Sequence, residues 1–400
     1  MKLVEVKTPQ QQQEFVRFPV TLYKDAPAYI QPLDKDVENV FHKDTNKTFR
    51  QGEAIRWILQ NDQGKTIGRV AAFINRKIVN KDNDQPTGGM GFFECIDDKE
   101  AAFKLFDAAK EWLAARDMEA MDGPVNFGER NEWWGLLVDG FEVEPLYKNN
   151  YHLPYYQAFF EEYGFEVYFR QFTYGRKMRA PLSPKLAEKA YRIFDMPGYE
   201  FKHLRKAELE KFTEDFRTVY NAAWGGHAGV ASLSSLQAKA LMKQMKPIMD
   251  EKIMWFGYHD GKPIAIFIMI PEVNQLFKYV GGKLDLIGKV KFMYHKMKGS
   301  CKKAVGLIFG IAPEYQGKGM EGAIIEAARV MVQEEYPRYD DLEMNWIGDF
   351  NPRMIKVVEQ VGGDVVKTHH TYRFLFDRTK EFKRAPILGA KRSKDEQQDA

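Results

Sequence analysis

The stretch of this chain best equipped for chemistry is Gln316-Gly317-Lys318-Gly319-Met320, which follows the apolar run Gly306 to Ile311 and leads into a helical pattern from Gly322. It reads as strand, turn and helix. Glycines in such a turn let consecutive backbone N–H groups converge on an anion, and the helix adds unpaired first-turn donors and the positive end of its dipole. That chemistry is the binding of a phosphate or diphosphate. The alternative is a plain helix start in which Gly317 and Gly319 merely permit a tight turn. Glu321 stands at the edge of the stretch, where its carboxylate repels a diphosphate unless it points away. A second segment, Phe127 to Gly135, sets Trp133 and Trp134 beside Glu129, Arg130 and Glu132. Paired tryptophans there suit stacking on a ligand or sealing a domain interface. A third, Val273 to Ser300, carries a basic stretch in which Val290, Met293 and Met297 form one apolar side at helical spacing. It reads as a lid, a contact for the first half, a membrane-surface helix, or a packed helix with a solvated basic face.

The elements that must position these residues occur twice in the same order. Each half has two strands around a turn, at Asn61 to Lys65 and at His259 to Lys262, then a third strand and a long helix. The third strands are Gly88 to Cys95 and Val305 to Ile311; the helices are Asp98 to Ala115 and Gly322 to Glu335. A further strand follows, Ala120 to Phe127 and Leu342 to Trp346. Each half then has a short helix between Pro and Gly, Pro154 to Gly164 and Pro352 to Gly362, and a β-rich run, Phe165 to Tyr174 and Asp364 to Phe376. Two copies of one α/β domain are expected, over 1–180 and 196–378. Residues 181–195, opened by Pro181 and Pro184, are expected as a linker and 379–400 as a flexible charged tail.

Composition narrows the function classes. The chain has 400 residues with 44% hydrophobic and 29% charged, ample for two packed cores. A net charge of +3 from 59 basic and 56 acidic residues supplies no general reason to expect nucleic acid or a membrane as partner. The two cysteines, Cys95 and Cys301, show neither a disulfide framework nor metal-ligand spacing, so no metal is expected. The opening residues lack a signal-like apolar core, and a cytoplasmic location is expected.

Taken together, the strand, the Gln316 to Gly319 turn and the Asn351-Pro352 helix start resemble the GCN5-related N-acetyltransferase superfamily, and the doubled order resembles a tandem member of it. The resemblance implies an α/β fold in which each domain has a mixed, splayed, mostly antiparallel sheet flanked by helices. It implies that acyl-coenzyme A, as acetyl-CoA or another acyl-CoA, sits in the splay with its pyrophosphate on the turn. Carried over, Gln316, Gly317, Lys318, Gly319 and Met320 form the cradle, Phe309 and Ile311 pair with the pantetheine arm, and Asn351 opens the helix across the gap. The family often has a tyrosine where this chain has Val358, so the leaving thiolate needs another proton source, such as water, Tyr372 or Tyr315. In the first half, Asp97 with Glu100 has capping-box spacing, so carboxylates fill the donors that a pyrophosphate needs and no coenzyme is expected there.

Transfer to nitrogen needs a neutral amine and a group to take its proton. Asp349 and Glu343, beyond and on the strand from Leu342, are the candidates, each equally readable as a solvated or paired acid. Trp224, His227, Asn345 and Trp346, with Trp133 and Trp134, are the candidate acceptor-binding residues. The expected activity is an acyl-CoA-dependent N-acyltransferase, with N-acetyltransferase as the first expectation, acting on a small-molecule or peptide amine. Two alternatives stand beside it: a non-catalytic coenzyme- or metabolite-binding protein or scaffold, and a tRNA-dependent aminoacyl ligase, which pairs two such domains but lacks the cradle.

Overall fold

In the computed structural model, residues 1–80, 83–224 and 232–388 are described. The first half contains β1 (Lys2–Glu5), α1 (Pro9–Leu22), α2 (Asp34–Phe41), β2 (Gly52–Gln60), β3 (Thr66–Asn75), β4 (Thr87–Cys95), α3 (Lys99–Ala114), β5 (Ala120–Gly123), β6 (Leu136–Asp139), α4 (Tyr156–Tyr163) and β7 (Glu166–Lys177). The second contains α5 (Pro184–Phe194), β8 (Tyr199–His203), α6 (Leu209–Trp224), α7 (Ser235–Met245), β9 (Met254–His259), β10 (Lys262–Pro271), α8 (Asn274–Phe277), α9 (Leu286–Met297), β11 (Lys303–Ile311), α10 (Met320–Glu334), β12 (Asp341–Gly348), α11 (Pro352–Gln360) and β13 (Asp364–Leu375). Local chemistry accounts for many of the boundaries. Thr8 and Gln11 form a capping box before α1, with Pro9 at its first position, and Asn61 accepts from the N–H groups of Gln63 and Lys65 to close the β2–β3 turn.

All thirteen strands among the described residues belong to one mixed, mostly antiparallel sheet, ordered β1-β2-β3-β4-β5-β13-β7-β12-β11-β10-β9-β8, with β6 also on β13. The final strand of each half has crossed over. β13 lies between β5 and β7, and β7 lies between β13 and β12, so each closes the sheet of the other half. The cores follow the exchange: Tyr372 and Phe374 of β13 are buried with Phe93, Phe106 and Phe160 of the first half. In mirror fashion Tyr174 of β7 is buried with Ile347 and Val358 of the second. A cut between 180 and 196 would therefore separate β13 from its strand partners.

Four expectations change on folding. The strand expected over Ala120 to Phe127 stops at Gly123, because Pro124 has no N–H to give the ladder. The chain leaves the sheet there and rejoins it as β6, pairing further along β13. Within 181–195, α5 packs on α10 and buries Ala190 and Ile193, so this segment is ordered structure. Residues 379–388 are also held to the fold: the Ala385 N–H donates to the Tyr168 carbonyl and the Leu388 N–H to that of Phe350. Residues 389–400 lie outside the described ones. Finally, the apolar side of α9 with Val290, Met293 and Met297 faces solvent and does not pack inward.

Candidate functional site

The sheet splays at one place in the second half. β11 and β12 pair in parallel from Lys303–Asp341 to Gly306–Met344 and then part, as β12 shifts register against β7 between Met344 and Ile347. Beyond Gly306, β11 keeps β10 on one edge and turns the other to open space. Two cavities sharing Phe309, Met354, Val357 and Val361 occupy the gap. The outer, about 540 Å³, is bounded by Trp224, Ile311, Gln316, Gly317, Gly319, Glu321 and Asn351. The inner, about 220 Å³, is walled by Phe267, Leu307, Ile325, Leu342, Met344, Asn345, Trp346, Ile347 and Val358, with Arg176 as its one ionisable lining residue.

The turn at the mouth is built as a strand-to-helix cradle. Gly319 is the residue before α10 and has φ +92°, a left-handed conformation that costs other residues roughly 1–2 kcal/mol. Gln316 donates its side-chain N–H to the Ile311 carbonyl at 2.9 Å, tying the turn to the strand end. Met320 is buried behind it, and Lys318 stands beside the Tyr315 ring. Glu321 does not point away: its carboxylate accepts from the Gly317 N–H at 3.1 Å, the place an incoming anion would take. Phe309 and Ile311 pair with Phe267 and Ala265 on β10, which leaves their opposite backbone edge toward the cavity. Asn351 caps α11 by accepting from the Met354 N–H and lies on the outer cavity wall.

The candidate acceptor residues divide. Trp224 packs over Gly310, where a Cβ would lie 2.5 Å from the indole, and it walls the outer cavity. Asn345 and Trp346 line the inner one. Arg130 brings a first-half residue to them, its guanidinium lying 5.7 Å from the Trp134 ring and 5.9 Å from that of Trp346, with Phe169 and Phe350 on its other sides. Trp133 is elsewhere, buried against Phe92 in the first-half core. His227 lies outside the described residues.

The candidate proton-transfer groups are similarly dispersed. Glu343 is buried, with one carboxylate oxygen on Lys303 and the other on Lys367. Nearby Glu272 is also buried and accepts from the Asn274 and Tyr147 N–H groups; loss of water pushes its carboxyl up to about 7. Asp349 follows β12 and pairs with Arg384 at 2.5 Å. Tyr372 is fully buried in the first-half core, and its hydroxyl meets Glu161 at 3.1 Å; burial raises its pKa, so it stays protonated. Sequence reading missed His370, whose Nδ1 lies 3.3 Å from that hydroxyl and which feels the charges of both Asp349 and Glu161. Burial lowers it to about 4. The only signal was a histidine doublet in a β-rich run. Also missed were Arg176, Lys303 and Lys367, although lysine inside an apolar strand demands a buried partner.

The corresponding place in the first half is filled. β4 and β5 pair only from Thr87–Ala120 to Gly89–Asp122, but the chain after β5 folds back and the Val125 N–H donates to the Met90 carbonyl at 2.7 Å. A Cβ on Gly91 would lie 1.9 Å from the Val125 oxygen, so backbone occupies what is a gap in the second half. The cap before α3 is Asp98, one residue later than expected, accepting from the Ala101 N–H. Among the described residues, no group of three or more His, Cys, Asp or Glu could hold a metal, and no helix is long and apolar enough to cross a membrane.

Two solved structures share this fold. A tandem GNAT protein from the clavulanic acid biosynthesis pathway superposes over 95% of this chain and all of its own, with a TM-score of 0.50 at 11% identity. A GCN5-related glucosamine N-acetyltransferase region of a fungal multi-domain β-N-acetylglucosaminidase matches 93% of this chain with a TM-score of 0.53 at 13% identity; the chain spans 38% of that larger protein. The protein has the tandem GNAT fold. No protein-family model matches it. Two relatives align over nearly their whole length: bacterial ceramide synthase of Caulobacter vibrioides, 26% identical over 93% of this chain and 97% of its own, and Protein YghO of Escherichia coli, 25% identical over 90% and 91%. This tandem GNAT chain is thus similar to a bacterial ceramide synthase over most of its length.

Proposed function

We propose that this protein is an acyl-CoA-dependent N-acyltransferase whose second half holds a long-chain acyl-CoA and whose acceptor is a lipid-like amine. The observation that carries this is the inner cavity. Its walls are aliphatic and aromatic, it continues from the cradle between β11 and β12, and Val358 leaves apolar room where the resembling family often has tyrosine. An acetyl group needs little of that space, whereas a fatty chain buries about 0.8 kcal/mol per methylene in it. Similarity to a ceramide synthase supports an acceptor of the sphingoid-base class, since a ceramide is a long-chain amine acylated on nitrogen.

In this reading Gly317, Lys318, Gly319 and the start of α10 hold the pyrophosphate, and the free edge of β11 from Phe309 to Ile311 takes the pantetheine arm. The amine nitrogen forms an amide bond to the acyl carbon, the carbon–sulfur bond breaks and the sulfur leaves as thiolate. Asp349 is assigned to the amine proton because it directly follows the splayed strand. Glu343 is assigned a structural role, since two lysines already claim its oxygens. A thiolate is a good leaving group near neutral pH, so Val358 in place of a proton donor is compatible with transfer.

A second reading, a coenzyme-binding or scaffold protein without turnover, is favoured by Glu321 on the Gly317 N–H. Thermal unfolding with CoA, acetyl-CoA and palmitoyl-CoA, followed by mass spectrometry of reactions with sphinganine, separates the two. The proposal expects palmitoyl-CoA near 100 times its Kd to add about 2.7 kcal/mol of stability and an N-palmitoyl product to form. Binding without product across long-chain amines supports the second reading. No shift with any acyl-CoA, in the wild type or in Gly319→Trp, defeats the transferase and the coenzyme-binding readings and leaves the scaffold.

A further inference from the structure

The helix α9 is mounted with its apolar face outward. Leu286, Ile287, Val290, Met293, Tyr294 and Met297 are all exposed, with Leu286 at 79% and Met297 at 77%. At about 100° per residue they span a continuous arc of about 120°. Lysines border it on both sides, Lys289 on one and Lys291 with Lys298 on the other. From Leu286 to Lys303 there is no acidic residue, and none of these three lysines has an ion-pair partner among the described residues.

The opposite face fixes the helix to the body. Phe292 packs on Phe277 with ring centroids 5.4 Å apart, His295 stacks on Tyr279 at 3.5 Å, and the Lys296 ammonium donates to the Pro247 carbonyl at 3.1 Å. Asp285 caps the N-terminus through the Gly288 N–H, and the loop before it is pinned to the first half, where the Asp34 N–H donates to the Gly282 carbonyl. Held this way, the helix keeps its apolar arc outward.

We propose that α9 docks this protein on an anionic lipid surface, its apolar arc sinking among the acyl chains and its lysines meeting headgroup phosphates. Charge selects this occupant. A second copy would bring like-charged lysine borders together, whereas an anionic bilayer supplies both apolar depth and a negative boundary for long side chains that snorkel. The inference replaces the expectation of no membrane partner, which rested on net charge; a net +3 conceals a helix without acids. It does not depend on the acyltransfer reading.

The test is flotation of the full-length protein with two kinds of vesicle, pure phosphatidylcholine and phosphatidylcholine with roughly a third phosphatidylglycerol. Three lysines predict binding to the anionic vesicles on the order of a hundredfold tighter, weakened by high salt. Leu286→Glu with Met297→Glu should abolish flotation at an unchanged melting temperature, since both side chains are in solvent. In a separate variant, Tyr294→Trp should give an indole emission that shifts to the blue only with anionic vesicles. The proposal is overturned by absence of flotation with anionic vesicles, or by flotation that survives the double substitution. It is overturned equally if the wild type is a dimer that the double substitution dissolves, because the arc is then covered by another copy.

Discussion

Glu321 decides how readily the cradle can receive an anion. Its carboxylate occupies the Gly317 N–H and places a negative charge where the proposed function puts the coenzyme diphosphate, so it would compete both sterically and electrostatically. Glu321→Ala should therefore tighten acyl-CoA binding roughly fivefold to tenfold by titration calorimetry, the worth of about 1 kcal/mol from one exposed hydrogen bond and its charge. Weaker binding would mean that the acid helps to shape the cradle. Glu343 poses the opposite test. Its two lysine partners are buried with it, so Glu343→Gln should lower unfolding stability by about 3 kcal/mol in urea titration, with any loss of activity following the loss of folded protein. A large fall in kcat at unchanged stability would instead make Glu343 the proton acceptor. Cradle residues were legible in the sequence because glycine spacing is a local signal. The partners of Glu343 were not, because Lys303 and Lys367 reach it from two other strands.

At the scale of elements, α11 controls the depth of the inner cavity and β13 controls behaviour in acid. Val358 is buried on the α11 face toward Met344 and Ile347. Val358→Tyr should fill the slot, lowering kcat/KM for palmitoyl-CoA by tenfold or more relative to acetyl-CoA, with an overpacking cost of about 1–3 kcal/mol. An unchanged chain-length preference would place the acyl chain elsewhere. On β13, burial holds His369 near pH 4, below the ordinary 6.5. Between those values the unfolded chain binds a proton that the folded chain refuses, so stability is full above about 6.5 and falls as pH drops toward 4. For this fully buried ring the loss is on the order of 3 kcal/mol. Urea midpoints at about pH 7 and pH 5 should differ, and His369→Gln should shrink the difference. Helices and hairpins were readable here from caps, turns and periodicity. The stop at Gly123 was overlooked, although Pro124 announces it, because the apolar pattern runs on to Phe127.

For the whole molecule, exchange of β7 and β13 makes the halves interdependent. Each final strand has both its hydrogen-bonded edges and its buried aromatics in foreign company, so neither 1–180 nor 181–400 alone has a closed sheet. Expressed singly, each piece should be insoluble or lack near-ultraviolet circular dichroism, and co-expression should recover one soluble complex. Independent folding of 1–180 would count against this reading of the sheet. The amino-acid sequence by itself determined the doubled order of elements, the one glycine cradle and the absence of a matching one in the first half, because caps, turns and glycine spacing act over a few residues. Only tertiary structure decided which strands became neighbours, since β7 and β13 are equally long, equally β-rich runs whose pattern does not say which sheet they close. It also decided that Arg130 joins Trp134 to Trp346 and that α9 turns its apolar arc to solvent. Those outcomes depend on contacts between residues remote in sequence, where periodicity marks a face as apolar but not what it will meet.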